Sequence, residues 1–526
     1  MIAIRERLGD LALGNWYALL SAWAWVYLSW RFLYGSSLVV DLALGFVVAG
    51  SLLALFKPGT FLCYLFAALV IAGAGLLQIL AYFEGDTDFL SGPRLLALLA
   101  CGLSLWLIFG GPAARSDSSS VAQRRISWLV AAVCMLAIGL MNAQTLFVAE
   151  WTVLLLELMF IVVCALTQPD FFRRHKSFWT LFGVLTLLLL ISNHLAARVD
   201  GAYARFDRVW HVLGHIAFAF AFYLWCLREK RVIELIVVVS GIALTIYTVL
   251  LLSAWFGQDA PYYHDWIHGV PLFGHIRHLG FYLCFLGVVA AFFVVHSTRE
   301  LLPVSVLLCT LALTLLLWSG GRGAFIGVVL ATMVTLWASR GRRRALWLLG
   351  CLAAALVISF VFRVEHPYLG WLSAVLRTER ADAADALTSG RWAIWLQMLE
   401  PMRERLWFGW GGDGFRTVWQ GRAGIIQPHN GIVQLQIEWG LIATIVLLGW
   451  IAWLYIDGWR QAIRTLRGSS PLQSGLVLGL SGATAYLFFS MTDGIFYYGL
   501  PGAYLAAFMG MLAAGVRCAT YSGEVK

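Results

Sequence analysis

Charge is what this sequence has least of. Only 12% of its 526 residues are Asp, Glu, Lys or Arg, while 61% are hydrophobic. A water-soluble chain of this length needs far more polar surface. Proline is also sparse, at 12 residues, so apolar stretches run on without breaks. Many reach the ~20 residues that carry a helix across a bilayer. The short alternating segments of a membrane β-barrel are missing. The nine cysteines contain no C-x-x-C pair, and all but Cys518 fall inside apolar runs. That pattern offers neither a disulfide framework nor a zinc site. No cleavable signal is apparent, because the run after Arg5 and Arg7 is long enough to remain as an anchor. The net charge of +9 has no soluble basic face to sit on, which argues against nucleic acid as a partner. The fold class is therefore an all-α polytopic membrane protein in contact with membrane lipids.

The apolar runs predict about 14–16 transmembrane helices, near 11–30, 38–56, 60–82, 94–111, 126–142, 147–167, 178–195, 209–227, 232–255, 279–296, 302–318, 323–339, 345–362, 430–456, 474–490 and 498–516. The pairs around Asn142 and Trp318 read equally as a hairpin or as one long element. Three regions follow: N-terminal helices over 1–300, a core over 301–460 with a long loop at 363–428, and C-terminal helices over 461–526. Arg124 and Arg125, Arg173 and Arg174, Arg228 with Lys230 and Arg231, Arg340 to Arg344, and Arg460 to Arg467 alternate onto the side of the N-terminus. The positive-inside rule makes that side cytoplasmic, with both termini there.

Arginine also collects on the other side. Arg198, Arg205, Arg208, Arg277, Arg322, Arg377, Arg380, Arg391, Arg403, Arg405, Arg416 and Arg422 all fall in outer loops or beside them. Guanidinium is the group suited to bidentate phosphate binding. Pairing with lipid headgroups or local carboxylates is the competing reading. Ser389 reads as the N-cap of a short helix with Trp392, Trp395, Leu396 and Leu399 on one face, interrupted at Pro401 and lying at the membrane surface. Gly409 to Phe415 reads as a structural turn. Pro428 reads as a helix start, with His429 and Gln436 on one face and Asn430, Gln434 and Glu438 on another. So many polar groups at a helix end imply a water-filled cavity, in which a neutral His429 can serve as a general base. His264, His268, His275 and His278 read as interfacial. His211 and His215, one turn apart, have the spacing of a metal pair but no acidic partner to complete it. Glu157, in the middle of an apolar run, supports a transporter instead.

Ser319-Gly-Gly-Arg322-Gly-Ala resembles the Ser-x-Ser-Arg-Gly motif of the O-antigen ligase and polymerase superfamily, with Gly321 in place of the second serine. Ser389-Gly390-Arg391, the glycine turn ending at Phe415, His429-Asn430 and Glu438-x-Gly440 follow in that superfamily's order over roughly 310–460. Phe273 to His278 stands where the family has an arginine segment but lacks its Pro-Asn. The resemblance implies a GT-C-type helical bundle in the bacterial inner membrane with a periplasmic active site. It implies a polyprenyl-diphosphate-linked glycan donor and, as acceptor, a lipid A-core, another glycan or a protein. The implied reaction is inverting and metal-independent, with no cofactor. Arg322, Arg391 and Arg277 would hold the diphosphate and His429 would activate the acceptor. Ser319, Asn430, Gln434 and Glu438 would support them. A flippase for a lipid-linked anion is the reading from another class, and it predicts repeat-related halves with broken helices.

Overall fold

Apolar runs bounded by arginines and glycines fold as helices throughout the computed structural model, which describes residues 175–228, 232–366, 368–372, 390–421, 424–467 and 474–524, with scattered helical positions between 153 and 165. The chain divides into two units, 1–144 and 145–526, and every described residue lies in the second. The predicted helices from 11 to 142, Glu150, Ser389, Arg377, Arg380 and Arg422 lie outside the described residues.

The long helices are α1 (Lys176–Ala196), α2 (Asp207–Arg228), α3 (Val232–Phe256), α4 (Ile276–His296), α5 (Leu302–Ser319), α6 (Arg322–Ser339) and α7 (Arg342–Val361). The segment 390–421 carries three short helices: α8 (Arg391–Gln397), α9 (Leu399–Glu404) and α10 (Gly414–Val418). Three more follow: α11 (Gly431–Arg467), α12 (Ser474–Ser490) and α13 (Gly499–Glu524). There is no strand among the described residues. Nine of these helices are long and apolar enough to cross a membrane, and α12 is a shorter apolar helix. The all-α polytopic class holds.

The ambiguous pair at Trp318 is two helices. Gly320 takes a left-handed conformation at φ 67 and ends α5, and α6 starts two residues later. A side chain at Gly320 would meet the Tyr368 carbonyl at 2.6 Å. Burial separates inner from outer helices. The apolar windows of α4 and α13 are 89% and 94% buried, against 22% for α1 and α7, so the last two face the surroundings. Water does not drive apolar helices together in lipid, so close approach must come from small residues. α13 shows this: Gly510 lies against the Ala219 carbonyl of α2, and Gly479 of α12 lies against the Leu512 backbone.

α11 departs from expectation. It starts at Gly431, after His429 and Asn430, and runs to Arg467 with non-helical backbone at Gly440. The break frees the N–H groups of Leu441 and Ile442 and the carbonyls of Ile437 and Glu438. The segment 406–411 takes all four. Leu406 and Trp407 carbonyls accept from Leu441 and Ile442 at 2.8 and 3.5 Å, and Trp410 and Gly411 donate to Ile437 and Glu438 at 2.7 and 2.8 Å. The glycine-rich turn is thus structural, as read from the sequence, and its task is to complete a broken helix. At φ 74 and ψ 179 Gly440 occupies a region essentially closed to other residues. A Cβ there would meet Phe408 N and Trp407 O at 2.4 Å. Gly440→Ala is expected to cost about 1–3 kcal/mol or more, since strain adds to the clash. A fall in melting temperature in detergent is the readout, and an unchanged melting curve would contradict the splice.

Candidate functional site

At one end of the bundle the N-termini of α4, α6, α8 and α11 gather around the turn Met491–Tyr498 that joins α12 to α13. Each brings a basic side chain at or near its first turn: Arg277, Arg322, Arg391 and His429. A cation at a helix N-terminus opposes the dipole. Several such ends in one place call for an anion.

His429 is held in a left-handed conformation at φ 54. Its Nδ1 lies 3.0 Å from Asp493 Oδ1 and its Nε2 lies 3.4 Å from Arg277 Nη1. A carboxylate can only accept, so Nδ1–H points at Asp493, and Nε2 is the acceptor nitrogen facing the Arg277 guanidinium, which can only donate. Gln427 Oε1 accepts the His429 N–H at 2.7 Å, and Gln427 Nε2 reaches Asp493 Oδ1 at 3.4 Å. Asp493 Oδ1 also accepts from Gly494 N at 2.8 Å. Arg391 donates to the Thr492 carbonyl and lies 3.7 Å from Asp493 Oδ2. A Cβ at Gly323, beside Arg322, would meet the Thr492 hydroxyl at 2.5 Å, which puts the start of α6 against the same turn.

Electrostatics follow from this geometry. Burial pushes the His429 pKa below its ordinary 6.5; Asp493 pulls it back, and Arg391 and Arg277 push it down again. The net direction is down, so the imidazole is neutral. Burial would raise the Asp493 carboxyl, but His429, Arg391 and Arg277 outweigh it and hold the carboxyl below the usual range. Burial lowers Arg391, helped by Arg277 and Arg322 and opposed by Asp493. With a neutral imidazole, Arg277 and Arg391 face the Asp493 carboxylate, and Arg322 stands close enough to Arg391 to act on its charge.

Asn430 positions the histidine. Its Oδ1 caps α11 by accepting from Ile432 N and Val433 N at 3.0 and 3.1 Å, and its Nδ2 donates to the Met491 carbonyl at 3.1 Å. The expected shared faces for His429 with Gln436 and for Asn430 with Gln434 and Glu438 are therefore corrected: both His429 and Asn430 precede the helix. Pro428 does not start it either; its carbonyl accepts from Trp395 Nε1 at 2.8 Å. The described cap of α8 is Gly390 at φ 83, and the break after α8 falls at Met398, ahead of Pro401. Trp392, Leu396 and Leu399 form an exposed apolar stripe, while Trp395 turns inward. Ser319 bonds within its own turn, to the Leu316 carbonyl at 2.8 Å.

Glu438 belongs to a second network. Its Oε1 accepts from Asp413 N at 3.1 Å. Buried Asp413 draws Arg205, Arg416 and Arg208 to 3.2, 3.7 and 3.9 Å and accepts from the Tyr497 hydroxyl at 2.9 Å. Arg208 also donates to the Tyr497 carbonyl at 2.7 Å. The outer arginines thus split. Arg205, Arg208 and Arg416 serve a carboxylate and anchor the Tyr497 end of the turn that carries Asp493. Arg405 donates to the Leu195 carbonyl. Only Arg277, Arg322 and Arg391, among those discussed, gather with His429.

The histidines of 264–278 are more than interfacial. His275 caps α4 by accepting from Arg277 N at 3.1 Å, and burial with nearby Arg277 lowers its pKa to about 3. No group of three or more His, Cys, Asp or Glu residues able to hold a metal occurs among the described residues. His215 hydrogen-bonds to Glu157 at 2.7 Å instead of pairing with His211 on a metal.

Sequence reading missed Asp493 and Gln427. Asp493 was visible as the only acidic residue in the short break between the apolar runs 474–490 and 498–516. Gln427 carried no signal apart from its place two residues before His429.

The fold and site define a multi-pass helical membrane protein with a buried cationic cluster around a histidine–aspartate pair. Residues 304–448 match the family described as O-Antigen ligase, and this match supports a likeness to the O-antigen ligase superfamily. The match takes in Arg322, Arg391 and His429 and leaves Arg277 and Asp493 outside it. No curated protein matches the chain.

Proposed function

We propose that the protein transfers a glycan from a polyprenyl diphosphate to an acceptor hydroxyl at the periplasmic face of the bacterial inner membrane. The observation that carries this is the gathering of Arg277, Arg322 and Arg391 around a neutral imidazole held by Asp493. Arg277, Arg322 and Arg391 hold the diphosphate of the donor and stabilise the charge that develops as the bond from the anomeric carbon to the diphosphate oxygen breaks. The acceptor oxygen attacks the opposite face of that carbon, which inverts it. His429 Nε2 takes the hydroxyl proton, and Asp493 stabilises the imidazolium through Nδ1–H. Polyprenyl diphosphate leaves. Periplasmic placement is supported by the basic stretch Arg340–Arg344, which lies at the opposite end of α6 from Arg322. The transporter reading loses its main support, because Glu157 is engaged by His215.

The test is the protein in proteoliposomes with an undecaprenyl-diphosphate glycan and three acceptors: lipid A-core, a second lipid-linked glycan and an acceptor protein. Transfer to one of them is expected. Passage of the donor across the bilayer without transfer to any would overturn the reading in favour of a flippase.

The pH profile adds a signed prediction. A base with a lowered pKa keeps the acid limb of kcat/KM below 6.5. Arg277→Ala removes a charge that disfavours the imidazolium, so the limb moves to higher pH. Asp493→Asn removes one that favours it, so the limb moves to lower pH and the plateau drops. Identical limbs in all three proteins would contradict the assignment of His429 as base.

A further inference from the structure

The turn that carries Asp493 is gripped at both ends by one stretch of chain, the segment 390–421. At its start Arg391 donates to the Thr492 carbonyl and lies 3.7 Å from Asp493 Oδ2. At its end Asp413 Oδ1 accepts from the Tyr497 hydroxyl at 2.9 Å. The first grip belongs to the cationic cluster. The second stands apart from it, and the reaction proposed above makes no use of it.

A carboxylate buried in that second place is unfavourable unless it is well paired. Asp413 is fully buried and sits at φ 61, in the left-handed region. A residue other than glycine stays there only where its surroundings hold it. Arg205 and Arg416 lie 3.2 and 3.7 Å from Oδ2, and Arg208 lies 3.9 Å from Oδ1. Tyr497 is held as firmly. Arg208 packs 4.2 Å from the centre of its ring and donates to its carbonyl at 2.7 Å. Hydroxyl, ring and carbonyl of one buried residue are all engaged.

The backbone of the turn passes this restraint on. The Gly494 carbonyl accepts from Tyr497 N and Tyr498 N at 3.0 and 3.1 Å, and Gly494 N donates to Asp493 Oδ1 at 2.8 Å. That oxygen is the one 3.0 Å from His429 Nδ1. A slip of about 1 Å at Tyr497, carried through Gly494, takes the contact out of hydrogen-bond range.

The structure assigns Asp413 and Tyr497 as positioning residues that hold Asp493 against His429. Their effect on rate rests on the function proposed above; their effect on the imidazole does not. The charged groups acting on His429 are Asp493 from the turn, Arg391 from α8 and Arg277 from α4. His275 and His278, at the start of α4, also feel Asp493. Of the groups acting on His429 only Asp493 rides on the turn, and it is the one that favours the imidazolium. Loosening the Tyr497 end therefore makes His429 a weaker base.

Tyr497→Phe tests this in the full-length protein in proteoliposomes, because it removes the hydroxyl and keeps the ring. It is expected to lower kcat about tenfold, to leave KM for the undecaprenyl-diphosphate donor unchanged, and to move the acid limb of kcat/KM to lower pH by about half a unit. In an Asp493→Asn background both effects should vanish, since the group through which Tyr497 acts is gone. An unmoved limb, even with a lowered melting temperature, would reduce the contact to a structural one and overturn the assignment. So would the same loss of kcat in both backgrounds. The Nδ1–H proton resonance of His429, assigned with His429→Ala, reads the contact without any transfer. It lies far downfield while bonded to a carboxylate and should move upfield in Tyr497→Phe; an unchanged resonance would also overturn the assignment. An upfield shift in a protein that transfers nothing would sink the proposed activity and leave the positioning standing.

Discussion

His429→Ala is expected to lower the rate of glycan transfer by about 10²–10⁴-fold while donor affinity stays near wild type. In the proposed reaction the acceptor hydroxyl loses its proton during attack, and Nε2 of His429 is the base proposed to take it. The arginines proposed to hold the donor sit on α4, α6 and α8, and of these Arg277 loses its contact with the imidazole while Arg391 keeps its bond to the Thr492 carbonyl. The substitution also takes a partner from Asp493, which still accepts from Gly494 N and lies beside Arg391. Folding should therefore survive, and binding of labelled undecaprenyl diphosphate is the control. The measurement is initial transfer rate against donor binding in the same preparation. Equal loss of both would assign His429 to binding.

Arg391→Ala is expected to reduce kcat/KM by about 10²-fold, since a hydrogen bond to a charged group is worth about 1.5–3 kcal/mol and its loss strands charge on the donor. Arg391→Lys restores the charge but not the planar fork, so it should recover only part of that, about tenfold. Arg391 also donates to the Thr492 carbonyl and lies beside Asp493, so part of any effect passes through the turn. The pH profile separates the two contributions. Arg391 lowers the His429 pKa, so its removal should shift the acid limb upward. A lysine variant with full activity would show that bulk charge suffices and that diphosphate geometry is not read at this position.

Much of this site was legible in the sequence because its chemistry and its interruptions coincide. Arg322, Arg391 and His429 stand at the breaks of apolar runs, where a charged residue has to be placed for a reason. Their order matched a family pattern, and the structure brings them together with Arg277. What escaped was set by tertiary contact. Asp493 acts because the 491–498 turn folds back on the start of α11, more than sixty residues away in sequence. The fate of Arg205, Arg208 and Arg416 depended on Asp413 being buried among them, which no local pattern reveals. The kink at Gly440 was hidden for a similar reason. A glycine in a long apolar run looks tolerable until the segment 406–411 is found occupying the freed hydrogen bonds.

Imaging the protein with an undecaprenyl-diphosphate glycan bound, by electron cryomicroscopy in lipid nanodiscs, tests the central claim most directly. The account predicts both phosphates within ion-pair reach of Arg277, Arg322 and Arg391, with His429 Nε2 open toward the anomeric carbon. Phosphates seated elsewhere, or an imidazole turned away from the sugar, would contradict it.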